Sequence, residues 1–196
     1  MGAEEPNTYD LGISNQNIKT SINLLYMHNK GEKLHLGKTA IIGGGNVAMD
    51  MARVAKEDNS EDVYVIYRKS INEAPARKIE IEETLNSGVK IIENTTVIKA
   101  IEDNGKLSKI LCRKTDSEFE IDVDTVVFAI GQKANKGILK DIEFDGNFVK
   151  VDENNMTSIK GVFAGGDITG NRSTVCRAIA SARKTAIDID KYLKGE

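Results

Sequence analysis

Cysteine is scarce in this chain of 196 residues: its two cysteines, Cys112 and Cys176, lie far apart and form no C-x-x-C pair. That spacing excludes a dithiol redox centre, a zinc site or an iron–sulfur site built from this chain's own cysteines. Both thiols are expected to be reduced, buried and packed as small apolar groups. Long hydrophobic runs are lacking too. The longest, Val126–Ile130, is far too short to span a bilayer. The start, Met1-Gly-Ala-Glu-Glu-Pro6, is acidic and polar and does not read as a signal peptide. A net charge of −3, with basic residues scattered, leaves no footprint for nucleic acid or an anionic membrane. His28 and His35 have no partners at metal-ligand spacing, so no metal site is expected. The expectation is a cytoplasmic globular protein with neither a nucleic-acid nor a membrane partner. At 40% hydrophobic and 29% charged residues, the chain can build one good core, or one domain and part of another.

Glycine, by contrast, is concentrated where it carries information. Lys38-Thr-Ala-Ile-Ile-Gly-Gly-Gly-Asn-Val-Ala-Met-Asp50 reads as a short buried strand, a Gly43-x-Gly45-x-x-Ala48 turn and the start of a helix. Gly43 and Gly45, with Gly44 between them, have no Cβ to obstruct a pyrophosphate. The helix opened by Asn46 and Val47 presents N–H groups and its positive dipole end to the anion. A tight strand-to-helix turn can also use glycine for packing alone. The strand before it, the amphipathic helix after it and the second strand Val63–Tyr67 favour a dinucleotide site.

At the ribose-reading position, where an NAD-type site carries Asp or Glu, stand Arg68 and Lys69. A guanidinium grips a 2′-phosphate through charge-assisted hydrogen bonds that contribute about 1.5–3 kcal/mol each. The cofactor this predicts is NADPH rather than NADH; the alternative is an ordinary solvated loop. Arg77 is either a further cation for that phosphate or a surface helix residue. Asp50 either orients neighbouring backbone or is a solvated helix carboxylate. No side chain stands out as acid, base or nucleophile, so no catalytic residue is assigned.

The periodicity predicts helices over 20–30, 46–57 and from Pro75 to Gly88, with strands before Gly43, at 63–67 and at 89–93. Val47, Met51, Val54 and Ala55 are the expected buried face of the second helix. The βαβαβ order implies a parallel sheet. Val97–Glu102, Asn104-Gly105 and Leu107–Cys112 read as a type I′ hairpin, with Phe119–Val123 as a third antiparallel strand. Asp124–Gly131 returns as a strand buried on both faces and ends at Gly131-Gln132, where a nucleotide would cross. A strand pair over 142–151, a small strand over Gly161–Asp167 and a helix from about Ser173 to Leu193 complete the chain. The fold class is α/β: a Rossmann-like parallel sheet with an inserted antiparallel β-meander, then a segment ending in a long helix.

These motifs together resemble a flavoprotein family, the one containing the small subunit of NADPH-dependent glutamate synthase. It is a branch of the two-dinucleotide-domain, pyridine nucleotide-disulfide oxidoreductase-like proteins. The resemblance rests on Gly43–Asp50, Val65-Ile-Tyr-Arg68 with Ala74-Pro-Ala76, Asp124–Gln132, Gly161–Asp167 and the final helix with Thr174-Val175 and Ala178-Ile179. The lead-in over 29–38 and Ser181-Ala-Arg183 are most similar to selenate reductase-type subunits. The resemblance implies an FAD-dependent oxidoreductase in which hydride passes from NADPH to flavin. Electrons then go on to a partner subunit or iron–sulfur centres. It also implies that Gly166 and Asp167 approach the FAD ribityl chain and that the helix opened by Thr174 and Val175 points its N–H groups at the flavin. Ala182 stands where many relatives carry glycine.

On this reading 1–19 is a crossover segment, 20–132 the NAD(P)H-binding domain and 133–196 the C-terminal part of an FAD-binding domain. The FAD-binding half of the parent chain is then a missing partner, FAD belongs to the full-length parent, and exposed apolar surface favours self-association as a homo-oligomer. The alternative function is a non-catalytic dinucleotide-binding module or sensor.

Overall fold

The structure, a computed structural model, describes residues 2–137, 139–170 and 174–195. The chain divides into two compact units, Pro6–Gly131 and the stretch from Gln132 onward together with the residues up to Glu5. A two-residue strand, β1 (Glu5–Pro6), lies at that division.

The Pro6–Gly131 unit is built on a parallel sheet of β2 (Ile18–Thr20), β3 (Thr39–Ile42), β4 (Val63–Ile66), β5 (Lys90–Ile92) and β9 (Thr125–Phe128). Their order is β2-β9-β3-β4-β5. β3 and β9 are buried at every position, as strands covered on both faces must be. Their side chains divide by the strand period of two. Ile41 and Val127 enter a core shared with helices α1 (Ser21–Asn29) and α2 (Asn46–Glu57), while Ala40, Ile42, Val126 and Phe128 enter another. That second core is closed by an antiparallel sheet of β6 (Thr95–Asp103), β7 (Lys106–Lys114) and β8 (Ser117–Asp122). The hairpin turn between β6 and β7 has φ 51° at Asn104 and 76° at Gly105, the pair of positive values a type I′ turn requires. Helix α3 (Lys78–Asn86) follows β4 and a short 3₁₀ turn at Ile71–Glu73.

The unit from Gln132 onward contains β10 (Gln132–Lys133), the antiparallel pair β11 (Phe144–Asp145) and β12 (Phe148–Val149), and α4 (Val175–Lys194). Its core is small: Ala134, Val149 and Ile168, with Phe144, Val151 and Ala164 against them. Helix α4 buries Thr185 and Asp188 and leaves Val175 and Leu193 each 76% exposed. Asp188 is held below the usual carboxylate range by hydrogen bonds from Lys184 and Asn155.

Five local expectations are corrected. Helix α3 begins at Lys78, three residues past Pro75, because Ala76 N–H donates to Gly44 O and keeps the chain extended until that bond is made. Residues 18–20, expected as connecting segment and helix start, form an edge strand too short to show a period. Gly161–Asp167 carries one isolated bridge, Met156 with Phe163, and then a 3₁₀ turn over Gly166–Thr169 rather than a strand. Cys176 is exposed, whereas Cys112 is fully buried between β6 and β8. Of the expected buried face of α2, Val47 lies outward at 40% exposure, and Ala48, Met49 and Ala52 join Met51 and Ala55 inside.

Burial pushes the Cys112 thiol up to about 12, so at pH 8 it holds almost no thiolate, the form that attacks a disulfide reagent. One thiol per chain is therefore expected to react quickly with Ellman's reagent in the native protein, and the second only after denaturation. Two fast-reacting thiols would contradict the burial of Cys112.

Candidate functional site

The candidate site lies at the carboxyl ends of β3, β4 and β9. β4 and β5 extend the sheet on one side of β3, and β9 and β2 on the other. The crevice where that order reverses is where open α/β sheets bind ligands. Three glycines turn the chain from β3 into α2, and each meets different surroundings. A Cβ on Gly43, where φ is +150°, would stand 2.3 Å from Ala129 O. On Gly44 it would stand 2.4 Å from the Tyr67 ring. On Gly45 it would meet only Pro75 Cγ, at 4.0 Å. The first two glycines are thus demanded by packing, while Gly45 leaves open space above its Cα, a cradle that a side chain would fill.

Gly45 is the N-cap of α2 and offers no capping side chain. Its carbonyl accepts from Ala48 and Met49, whereas the amides of Asn46 and Val47 have no acceptor among the described residues. These orphan donors and the aligned peptide dipoles favour an anion in that space. One wall is an extended strap, Ala74–Arg77. Ala76 N–H donates to Gly44 O at 3.1 Å, Arg77 N–H donates to Asn46 Oδ1 at 2.9 Å, and Pro75 faces Gly45.

Arg68 and Lys69 follow β4 on an exposed loop that is fixed at both ends. Thr95 N–H donates to Tyr67 O, Asn94 N–H donates to Lys69 O, and Ile71 N–H donates to Glu93 Oε2 at 2.8 Å. That last bond is the main cause holding the Glu93 carboxyl below its usual range. Lys69 is paired with Glu73 at 3.2 Å, whereas Arg68 makes no hydrogen bond or ion pair among the described residues. Arg77 is exposed and paired with Glu80. Asp50, whose carboxyl is raised by burial, pairs with Arg53 at 2.6 Å.

Gly43–Ala48, Arg68, Lys69 and Arg77 therefore gather around one end of the sheet. Gly131, with φ +92°, is two residues past Ala129 on the same strand end, and its carbonyl accepts from Asn7 N–H. Gln132, Gly166, Asp167, Thr174 and Val175 belong to the other unit. There Gly166 N–H donates to Ser181 Oγ, and Thr174 caps α4 by accepting from Arg177 N–H. A Cβ on Gly165 would stand 2.5 Å from Thr185 Oγ1, so the close helix approach in this unit is made there, while Ala182 is exposed. Asp167 Oδ1 is buried without a hydrogen-bond partner among the described residues. Sequence reasoning missed Tyr67, which walls Gly44, and Arg53, whose spacing of three from Asp50 was its only signal. A pocket of about 430 Å³ also opens beside β2, between Tyr9, Asp10, Lys19, Thr20 and Phe128, and no glycine-loop residue lines it.

The pyridine nucleotide-disulphide oxidoreductase family model matches residues 6–185. The chain is 35% identical over 180 residues to the NADP(+)-dependent formate dehydrogenase subunit beta of Moorella thermoacetica, covering 79% of this chain and 25% of that protein. It is 33% identical over 155 residues to the NAD-dependent dihydropyrimidine dehydrogenase subunit PreT of Escherichia coli, covering 79% of this chain and 37% of that protein. The chain thus spans a quarter to little more than a third of the length of these relatives. Thioredoxin reductase of T. acidophilum superposes with a TM-score of 0.75 at 23% identity, over 94% of this chain and 62% of that one. That likeness shows the α/β fold, with its parallel sheet, its antiparallel strands and its closing helix.

The three glycines predict different outcomes on substitution. Gly43→Ala and Gly44→Ala are expected to lower stability by about 2 kcal/mol or more through clash and, at residue 43, strained backbone. Gly45→Ala, with no clash to relieve, is expected to stay within about 1 kcal/mol of the parent and yet lose nucleotide binding. Thermal melts paired with calorimetric titration separate the cases, and undiminished binding by Gly45→Ala would remove the cradle reading.

Proposed function

The chain belongs to the pyridine nucleotide-disulphide oxidoreductase family, and we propose that within it this chain is the NADPH-binding portion of an FAD-dependent oxidoreductase. The observation that carries the reading is Arg68, a cation without a partner among the described residues, on a pinned loop beside an anion-receptive helix terminus. The printed names of the relatives include both an NADP(+)- and an NAD-dependent protein. Cofactor choice here rests instead on this chain's own residues. The Asn46 and Val47 amides would receive the pyrophosphate over Gly45, and Arg68 would grip the 2′-phosphate, with Lys69 and Arg77 adding positive potential from within their ion pairs.

Residues 20–132 form the NAD(P)H-binding part in this reading, and 133–196 belong to an FAD-binding domain. The orphaned Asp167 Oδ1 supports the second assignment, because a buried acceptor without a partner suits a hydroxyl of a bound cofactor. The chemistry the two cofactors supply is hydride transfer from nicotinamide to flavin, which needs no acid, base or nucleophile from the protein. This chain's part is binding and orientation in a cytoplasmic assembly, with an FAD-binding half and an iron–sulfur or catalytic partner subunit completing electron flow. The motifs quoted above support the glutamate synthase small subunit as a functional analogy. Exposed Val175, Ile179, Ile187 and Leu193 on α4 support a surface that another polypeptide covers.

Calorimetric titration with NADPH and NADH in one buffer tests the reading. The parent is expected to prefer NADPH at least tenfold. Arg68→Glu is expected to erase that preference with NADH affinity nearly intact, while equal losses for both would remove the 2′-phosphate assignment.

A further inference from the structure

We infer that Arg53 is a positioning residue for the phosphate cradle: it holds the start of α3, and with it the Ala74–Arg77 strap, against the glycine loop. The inference rests on the reading of that loop as a nucleotide site.

The strap enters the core at one small side chain, Ala76, 8% exposed. Ala74, Pro75 and Ala76 carry no polar side-chain atoms, and the strap meets the loop through two backbone donors, Ala76 N–H to Gly44 O and Arg77 N–H to Asn46 Oδ1. Beyond Ala76 and these two bonds, the end of the strap at Arg77 is set by α3, which it opens. The apolar anchoring of α3 comes from the partly buried Ile81, which packs against the core. The helix's two buried residues are Glu80 and Thr84, both polar, while Ile79 and Leu85 are 53% and 49% exposed. Arg77, its N-cap, gives no side-chain cap.

Arg53 adds a polar anchor from α2. Its Nη2 donates to Glu80 Oε2 at 2.7 Å and to Asp50 Oδ1 at 2.6 Å. Its Nη1 donates to the Glu80 carbonyl at 3.3 Å and lies 3.5 Å from Glu83 Oε2. One half-buried guanidinium thus ties a carboxylate of α2 to two carboxylates and a carbonyl of α3. The Arg53 hydrogen bond is the first cause holding the Glu80 carboxyl below its usual range, so Glu80 stays ionised and also pairs with Arg77. A planar fork with several donors can satisfy these acceptors together; an ammonium of the same charge cannot.

Arg53→Lys keeps the charge and removes the fork. In the variant, the amides of Ala76 and Arg77 are expected to exchange with deuterium at least tenfold faster by NMR, while Ala52 and Ala55 in α2 keep their protection. Affinities for NADPH and NADH by calorimetry are expected to fall about five- to tenfold together, leaving their ratio unchanged. Glu80→Gln, which keeps the shape and drops the charge, should free the same two amides. Unchanged exchange at Ala76 and Arg77 in both variants, or unchanged affinity despite freed amides, overturns the positioning role. If the parent binds neither nucleotide, the site reading and this role both fall; if the parent binds and only the variants match it, the role alone falls.

Discussion

The close approach of the turn after β3 to the end of β9 governs this structure. Gly43 brings its backbone against the carbonyl of Ala129, where a Cβ would intrude to 2.3 Å, and the Ala129 amide in turn donates to Ile42 O at 2.8 Å. That junction sits where the strand order reverses, so the chain can leave β3 and enter α2 with the helix terminus aimed into the crevice. Gly44 against Tyr67 repeats the constraint on the β4 side. Close packing on both flanks fixes the loop, and a fixed loop can present unpaired amides to an anion with little reorganisation.

Charge then distinguishes the basic side chains near this crevice. Lys69 and Arg77 have carboxylate partners, Glu73 and Glu80, and each would bring its anion into the neighbourhood of any phosphate. Arg68 has none among the described residues. A guanidinium left solvated on a loop pinned by Glu93, Asn94 and Thr95 combines an available charge with a defined origin. Exposed ion pairs contribute little to stability. The pairs around Arg53 differ because they link α2 to a helix whose two fully buried residues, Glu80 and Thr84, are polar.

Much of this was legible in the sequence. The boundaries of α2, the positive-φ hairpin at Asn104-Gly105 and the two continuously buried strands follow from local pattern, because period and turn chemistry decide them. The start of α3 was not legible, since Pro75 is a good first helical residue and what keeps it extended is a bond from Ala76 to a carbonyl 32 positions earlier in the chain, Gly44. The glycine turn and Arg68 were visible as a candidate site. That packing demands Gly43 and Gly44 while Gly45 alone leaves a cradle depends on Ala129 and Tyr67, which no local pattern links to them. Edge strand β2 and the bridge at Phe163 are too short to leave a period.

The most direct test of the account is an NMR titration of the isotopically labelled chain with NADP⁺. The account predicts that the largest amide shifts fall on Gly45, Asn46, Val47 and Arg68, with α4 unmoved. Shifts concentrated instead on the pocket beside Tyr9, Lys19 and Thr20, with the glycine-loop amides silent, would contradict it.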